Sequence, residues 1–146
     1  MNLLLFSIFI LTILSISTNF SYAEFDEKLN EKSMFGKSII NIGDFDGDGI
    51  TDLAVGASDD DDGGLNSGAI YILFMNNDGT VKSHQKISDT EGNFTGKIRE
   101  GDNFGRSIAN IGDFDGDGIT DLAVGAYWDD DGGLNSGAIY ILFMNN

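Results

Sequence analysis

Residues Asp44–Asp52 read DFDGDGITD, and the same nine letters recur at Asp113–Asp121. Positions 1, 3, 5 and 9 of the two copies are carboxylates: Asp44, Asp46, Asp48, Asp52, Asp113, Asp115, Asp117 and Asp121. Four like charges so close together repel one another unless a cation lies among them. Oxygen ligands on a glycine-rich loop suit Ca²⁺, a hard ion that takes roughly 6–8 oxygens. The two stretches therefore predict two calcium-binding loops.

Two other structures compete with a calcium-binding loop of this kind: an EF-hand and a solvated turn. An EF-hand shares the first three carboxylates but needs a bidentate glutamate at position 12, where this chain has Val55 and Val124. No helical period flanks either loop, so the EF-hand is excluded. The remaining alternative is a pair of solvated Asp/Gly turns, which the recurrence of aspartates at ligand spacing disfavours.

The loops belong to a long internal repeat, which decides the fold class. Phe35–Asn77 aligns with Phe104–Asn146 without a gap. The paired positions that differ are Lys37/Arg106, Ile40/Ala109, Ser58/Tyr127 and Asp59/Trp128. We therefore expect two units of nearly identical structure.

Each repeat has the pattern of short β-strands. Apolar and β-branched runs predict strands over 38–42, 53–57, 69–74 and 81–87, the third of them buried on both faces. Turn residues separate the runs, and four antiparallel strands form one blade of a β-propeller. The chain is thus predicted to be all-β, with two four-stranded propeller-type blades in an incomplete propeller. The second repeat stops before its counterpart of the fourth strand.

The N-terminal sequence and the net charge indicate where the protein is located and which classes of partner are disfavoured. The apolar run Leu3–Ile16 is shorter than the roughly 20 residues that span a membrane, and Ser21 and Ala23 are the small residues at positions −3 and −1 of a cleavage site. A signal peptide over 1–23, cleaved after Ala23, is predicted, with an uncleaved anchor as the alternative, and hence a secreted or cell-surface protein. The chain has no cysteine, so bound metal is the expected staple. A net charge of −16 disfavours nucleic acid and anionic membranes as partners.

The repeat resembles a known family, the FG-GAP repeat, which forms the blades of the integrin alpha-chain β-propeller. The resemblance rests on Phe35-Gly36, the loop DFDGDGITD, the segment from Val55 to Ser58 and the strand GAIYILF, each with its counterpart in the second copy. It implies that calcium binds the four loop aspartates and the backbone carbonyls of Ile50 and Ile119. Ser58 and Tyr127 occupy the usual proline position of the family, which concerns only the local turn.

These observations give a domain organisation and a set of functional hypotheses. The predicted units are a signal peptide (1–23), one repeat (24–92) and a second repeat without its last strand (93–146). The resemblance implies a calcium-binding, adhesion-like module, without catalytic residues, that binds an extracellular protein or glycan. The alternatives are an accessory domain of a secreted enzyme and a structural surface repeat. Either further blades from missing sequence or self-association would complete the propeller.

Four further features carry weaker signals. The acidic stretches 59–62 and 129–131 are interpreted as solvated connections, with a further ion site as the alternative. Tyr127 and Trp128 either contact a partner or pack on neighbouring blade residues. His84, the only histidine, is assigned a structural role. Asn93 begins a glycosylation sequon.

Overall fold

The computed structural model describes residues 32–145. The predicted signal peptide and the first residues of the predicted first repeat lie outside this range. The strands are, in chain order, β1 (Phe35–Gly43), β2 (Asp52–Ala57), β3 (Ala69–Met75), β4 (Val81–Ile87), β5 (Phe104–Gly112), β6 (Asp121–Ala126) and β7 (Ala138–Leu142). The described residues contain no helix, and therefore none that is long and apolar enough to cross a membrane. The prediction of an all-β fold is confirmed.

The strands form two antiparallel sheets that repeat one design. Blade 1 has the strand order β1-β2-β3-β4 and blade 2 the order β5-β6-β7. The registers match position by position, for example Val55↔Tyr71 in blade 1 and Val124↔Tyr140 in blade 2. The structure therefore contains the predicted partial propeller, with four strands in one blade and three in the other.

The first strand of each blade is longer than the sequence pattern predicted. β1 begins at Phe35, which pairs with Ala57, and the register then shifts before Ser38. Gly36 lies within this bulge at a φ of 87°, a left-handed conformation that glycine adopts without steric cost. The bulge interrupts the alternation of side chains, so periodicity alone located only the regular part of the strand.

The two blades share one hydrophobic core. Ile70 and Ile72 of blade 1 lie in the same buried cluster as Phe104, Leu122 and Val124 of blade 2. Small residues at the contact let the two backbones approach closely. As a result, Ser38 Oγ donates to the carbonyl oxygen of Gly105 at 2.9 Å. Burial of these apolar groups is the main force that holds the blades together.

The two equivalent strands β3 and β7 differ in their surroundings. β3 is covered on both faces, as predicted, and Ile70 is 0% exposed. Its counterpart Ile139 in β7 is 74% exposed, because within residues 32–145 no sheet covers the outer face of blade 2. The same sequence is thus an interior strand in one blade and a surface strand in the other.

Candidate metal centre

Each aspartate loop connects the first two strands of its blade. We call residues 44–52 loop 1 and residues 113–121 loop 2. In loop 1 the carboxylates of Asp44, Asp46 and Asp48 are exposed and offer ligand atoms that lie within 4.8 Å of one another. Asp113, Asp115 and Asp117 form the same arrangement in loop 2. The structure therefore brings together the first three aspartates of each predicted ligand set.

Backbone amides hold the carboxylates of loop 1 in place. Gly49 N donates to Asp44 Oδ2 at 2.9 Å, Asp48 N donates to Asp46 Oδ1 at 3.2 Å, and Ile50 N donates to Asp48 Oδ1 at 2.9 Å. The bonds from Asp48 N and Ile50 N form Asx turns, which fix a side chain against its own loop. The orientation of the cluster is thus set by the backbone, and the glycines permit the tight path.

Loop 2 repeats the same hydrogen bonds. Gly118 N donates to Asp113 Oδ2 at 2.9 Å, Asp117 N donates to Asp115 Oδ1 at 3.2 Å, and Ile119 N donates to Asp117 Oδ1 at 2.8 Å. Because the nine residues are identical, the local sequence accounts for these three shared hydrogen bonds.

The fourth aspartate of each loop lies in a different environment. Asp52 is fully buried, and its Oδ2 accepts a hydrogen bond from Phe45 N at 2.9 Å while its Oδ1 accepts one from Met75 N at 2.9 Å. Asp121 is also fully buried and makes the same bonds to Phe114 N at 2.7 Å and Met144 N at 2.9 Å. These two side chains tie the loop to the end of the third strand.

A lysine lies against the cluster in loop 1. Lys82 Nζ, from β4, lies 2.8 Å from Asp46 Oδ2 and 2.7 Å from Asp48 Oδ2. The hydrogen bond from Lys82, and then that from Ile50 N, lowers the pKa of Asp48 below its usual value. The hydrogen bonds to Asp46 and Asp48 raise the pKa of Lys82 in turn. Within the described residues loop 2 has no such lysine, because blade 2 has no fourth strand there.

The residues present fit a hard cation. Both clusters consist of carboxylate oxygens, and in loop 1 a cationic group already lies on two of them. An oxygen-only donor set favours Ca²⁺ or Mg²⁺ over transition metals. The participation of the Ile50 and Ile119 carbonyls and of the buried Asp52 and Asp121 remains a prediction.

The second acidic stretch differs from its prediction as a solvated connection. Asp60 and its counterpart Asp129 are buried, and each accepts a hydrogen bond from a tyrosine hydroxyl, Tyr71 at 3.2 Å and Tyr140 at 2.9 Å. Burial, and then the Asp60 charge, raises the pKa of Tyr71 to about 12. The run of consecutive aspartates did not predict this burial, because sequence alone does not show which one of them points inward.

Two lysines of β4 pair with aspartates of blade 1, Lys82 at loop 1 and Lys86 at the acidic stretch 59–62, and sequence reasoning missed both. Lys86 Nζ lies 2.8 Å from Asp60 Oδ1, and it also contacts Asp62. Burial disfavours its ammonium form, but the hydrogen bonds to the two aspartates outweigh burial and raise the pKa of Lys86. The signal was the spacing, since Lys82 and Lys86 lie four positions apart and so on one face of a strand. In blade 2, Arg99 pairs with Asp131.

The other residues singled out in the sequence lie outside the metal-binding loops. His84 packs against Tyr71, with ring centroids 6.1 Å apart, and its structural role remains a prediction. Tyr127 and Trp128 are exposed and contact each other, with ring centroids 4.6 Å apart. Asn93 is exposed in a turn.

Comparison with known proteins identifies the repeat. The sequence profile of the FG-GAP repeat matches residues 38–73 and 104–142, which together are more than half of the chain. Both matched segments contain one aspartate loop and the three strands around it.

The chain is also similar to several known proteins. The chain is 38% identical to integrin alpha-2 of Mus musculus over 94 residues, which cover 63% of this chain and 7% of the relative. It is 34% identical to integrin alpha-4 of Xenopus laevis over 97 residues, covering 66% of this chain and 9% of the relative. It is 36% identical to integrin alpha-PS2 of Drosophila melanogaster over 112 residues, covering 73% and 7%. The chain thus spans less than a tenth of the length of these relatives. The chain belongs to the FG-GAP repeat family and is an integrin alpha-like module.

Proposed function

We propose that this chain is a secreted or cell-surface calcium-binding module of adhesion type, which binds an extracellular protein or glycan and carries out no catalysis. The observation that carries the proposal is the pair of carboxylate clusters, each with ligand atoms within 4.8 Å of one another. They occupy the same place in two blades of a family whose integrin members the chain resembles over about two thirds of its length. The predicted signal peptide supports secretion.

The residues that would hold calcium are those of the two loops. The proposed ligands are Asp44, Asp46, Asp48, the carbonyl of Ile50 and Asp52 in loop 1, and Asp113, Asp115, Asp117, the carbonyl of Ile119 and Asp121 in loop 2. Bound calcium would neutralise the clustered negative charge. The chain itself supplies the positioning, because backbone amides fix the exposed carboxylates and the buried aspartates anchor each loop to its sheet.

A metal at these loops would act on folding as well as on charge. Each loop joins two strands that start a blade, so a ligand that binds only the closed loop stabilises the folded sheet by mass action. With affinities of roughly 10⁻⁴–10⁻³ M, as in other extracellular modules, the sites would be filled where calcium is abundant. Calcium would thus serve as the staple that this cysteine-free chain otherwise lacks.

The test is calorimetric titration of calcium into the full chain after chelator treatment. We expect two binding events per chain and a higher thermal unfolding midpoint with calcium. The double variant Asp48→Asn, Asp117→Asn should lose the binding heat at both loops, since each substitution removes one charge from a cluster.

The matched control is the double variant Glu91→Gln, Glu100→Gln, which removes the same amount of charge from exposed positions outside the loops. It should bind calcium as the parent chain does. Absence of heat in the parent chain, or equal loss of heat in both double variants, would contradict specific binding at the loops.

A further inference from the structure

Blade 1 has a well-defined surface that contacts blade 2. Phe104 N donates to the carbonyl oxygen of Ser67 at 2.9 Å, and Ser38 Oγ donates to that of Gly105 at 2.9 Å. Gly56 makes this approach possible, because a Cβ there would lie 1.9 Å from the Gly105 oxygen. We call this surface the seat; its residues in blade 1 are Ser38, Gly56, Ser67, Ile70 and Ile72.

Blade 2 carries the same seat on its outer face. The counterparts are Ser107, Gly125, Ser136, Ile139 and Ile141. Here the two isoleucines are exposed, whereas in blade 1 they are fully buried. A groove of about 630 Å³ runs along this face, between Arg106, Tyr127 and Ile139. The outer seat is therefore an apolar surface whose twin, in the same chain, is covered by a blade.

The segment that fills the inner seat also has a twin. Asn103-Phe104-Gly105 fills it, and Met34-Phe35-Gly36 is the corresponding segment of blade 1. Their backbones match, since Met34 and Asn103 have φ values of 52° and 54°. Met34 is 54% exposed in this left-handed conformation, which a non-glycine side chain seldom adopts. Nearby Ile39 is 60% exposed, whereas its counterpart Ile108 at the inner seat is 9% exposed.

Three positions at which the two repeats differ lie at the two seats: 34/103, 58/127 and 59/128. At the inner seat Asn103 Nδ2 donates to the carbonyl oxygen of Ser58 at 2.8 Å and to Asp59 Oδ1 at 3.1 Å. The counterparts of these three residues are Met34, Tyr127 and Trp128. Where the inner seat has three polar residues, the corresponding positions of the blade 1 edge and the outer seat have a methionine, a tyrosine and a tryptophan. A methionine sulfur packs favourably against aromatic rings, so these three side chains suit one another.

We propose that the outer seat of blade 2 binds the Met34–Gly36 edge of blade 1 in a second copy of this chain. The chains then associate head to tail, with Met34 against Tyr127 and Trp128 and with Ile39 and Ile139 buried. Such a heterologous contact closes into a ring if the rotation per copy permits and extends into a filament otherwise. The proposal rests on the contact between the blades and is independent of calcium binding.

The first test is sedimentation velocity of the full chain over a range of concentrations, with calcium and with chelator. We expect concentration-dependent assembly in both. Ile139→Lys and Ile39→Lys should each weaken it at least about tenfold, because each would bury an unpaired ammonium group. Both positions are exposed in the single chain, so thermal unfolding of the dilute protein should be unchanged. Leu65→Lys is the control, since this exposed leucine lies beside the inner seat, at a loop that already contacts Gly101.

Mixing the two variants distinguishes head-to-tail contact from any symmetric one. Ile139→Lys keeps a native blade 1 edge and Ile39→Lys keeps a native outer seat, so an equimolar mixture should form dimers and nothing larger. A monomeric parent chain at every concentration, assembly that survives both substitutions, or a mixture that stays monomeric would each overturn the proposal. In the first case the outer seat would belong to a further repeat or to a different partner.

Discussion

Among single residues, the ninth aspartate of each loop differs in kind from the three before it. Asp52 and Asp121 are buried and accept hydrogen bonds from two separate segments, whereas the clustered aspartates are exposed. A buried acceptor that loses its charge or its geometry leaves backbone donors without a partner. We therefore expect these two residues to stabilise the fold even without metal.

Asp52→Asn tests this role, because it keeps the shape of the side chain and replaces one acceptor oxygen by an NH₂ group that faces a backbone N–H. In chelator, urea unfolding should show a loss of about 2 kcal/mol in the free energy of unfolding. The control Asp44→Asn changes an exposed carboxylate and should stay within about 0.5 kcal/mol of the parent. Equal losses in the two variants would count against the distinction.

The loop sequence could not make this distinction. Spacing put all four aspartates of a loop in one ligand set, and the structure clusters three of them. Which carboxylate is buried depends on where the end of β3 lies, and that is a contact between residues 23 positions apart. Local pattern carries no information about it.

At the scale of elements, β4 distinguishes blade 1 from blade 2. Its residue His84 pairs with Leu73 and Lys86 pairs with Tyr71, and the lysines on this face of the strand reach loop 1 and the acidic stretch 59–62. Lys82 pairs with Asp46 of loop 1, and Lys86 pairs with the buried Asp60. The bounds of β4 were predicted correctly from sequence, but the partners of its lysines depend on the register between strands.

Lys82→Met should raise the calcium affinity of loop 1 about three- to tenfold, because the ammonium competes with the ion for Asp46 and Asp48 and exposed ion pairs are individually weak. The measurement is calorimetry in the background Asp117→Asn, which leaves loop 1 as the reporting site. Lys37→Met removes the same charge at an exposed position near the start of β1 and should leave the affinity unchanged. An equal gain in the two variants would indicate a general charge effect instead.

Lys86→Met should lower the free energy of unfolding by about 3 kcal/mol, because it leaves the buried carboxylate of Asp60 without a cation. Urea unfolding at neutral pH measures the loss. The companion variant Lys86→Arg retains the charge and should recover much of the stability. A Lys86→Met protein as stable as the parent would show that the Tyr71 hydroxyl and the backbone amide of Asp62 satisfy Asp60 without a cation.

At the scale of the whole molecule, the sequence repeat predicted two blades and the structure confirms them. Their contact was not predictable in the same way, since the face of Gly56 is buried while that of Gly125 is open although the surrounding residues are alike. Sequence identity fixes the shape of a unit, and the position of that unit in the assembly decides which of its faces is covered.

A comparison of the variants Gly56→Ala and Gly125→Ala tests this difference in packing. The added Cβ at Gly56 would lie 1.9 Å from a backbone oxygen of blade 2, whereas at Gly125 it would meet only the Ser107 hydroxyl at 2.4 Å, which can rotate away. We expect Gly56→Ala to cost about 1–3 kcal/mol more in urea unfolding of the dilute chain, the range typical of overpacking. Similar costs at the two glycines would mean that the blades do not pack as closely as described.

The shared register of the two sheets has a consequence for how the chain folds. Leu53 pairs with Leu73 and Leu122 pairs with Leu142, so β6 fits beside β3 as well as β2 does. During synthesis the N-terminal strands emerge and pair first, before their duplicates exist. A denatured chain has no such order, and exchanged strands then become kinetic traps. Synthesis from one end therefore gives this duplicated chain a fidelity that refolding from denaturant lacks.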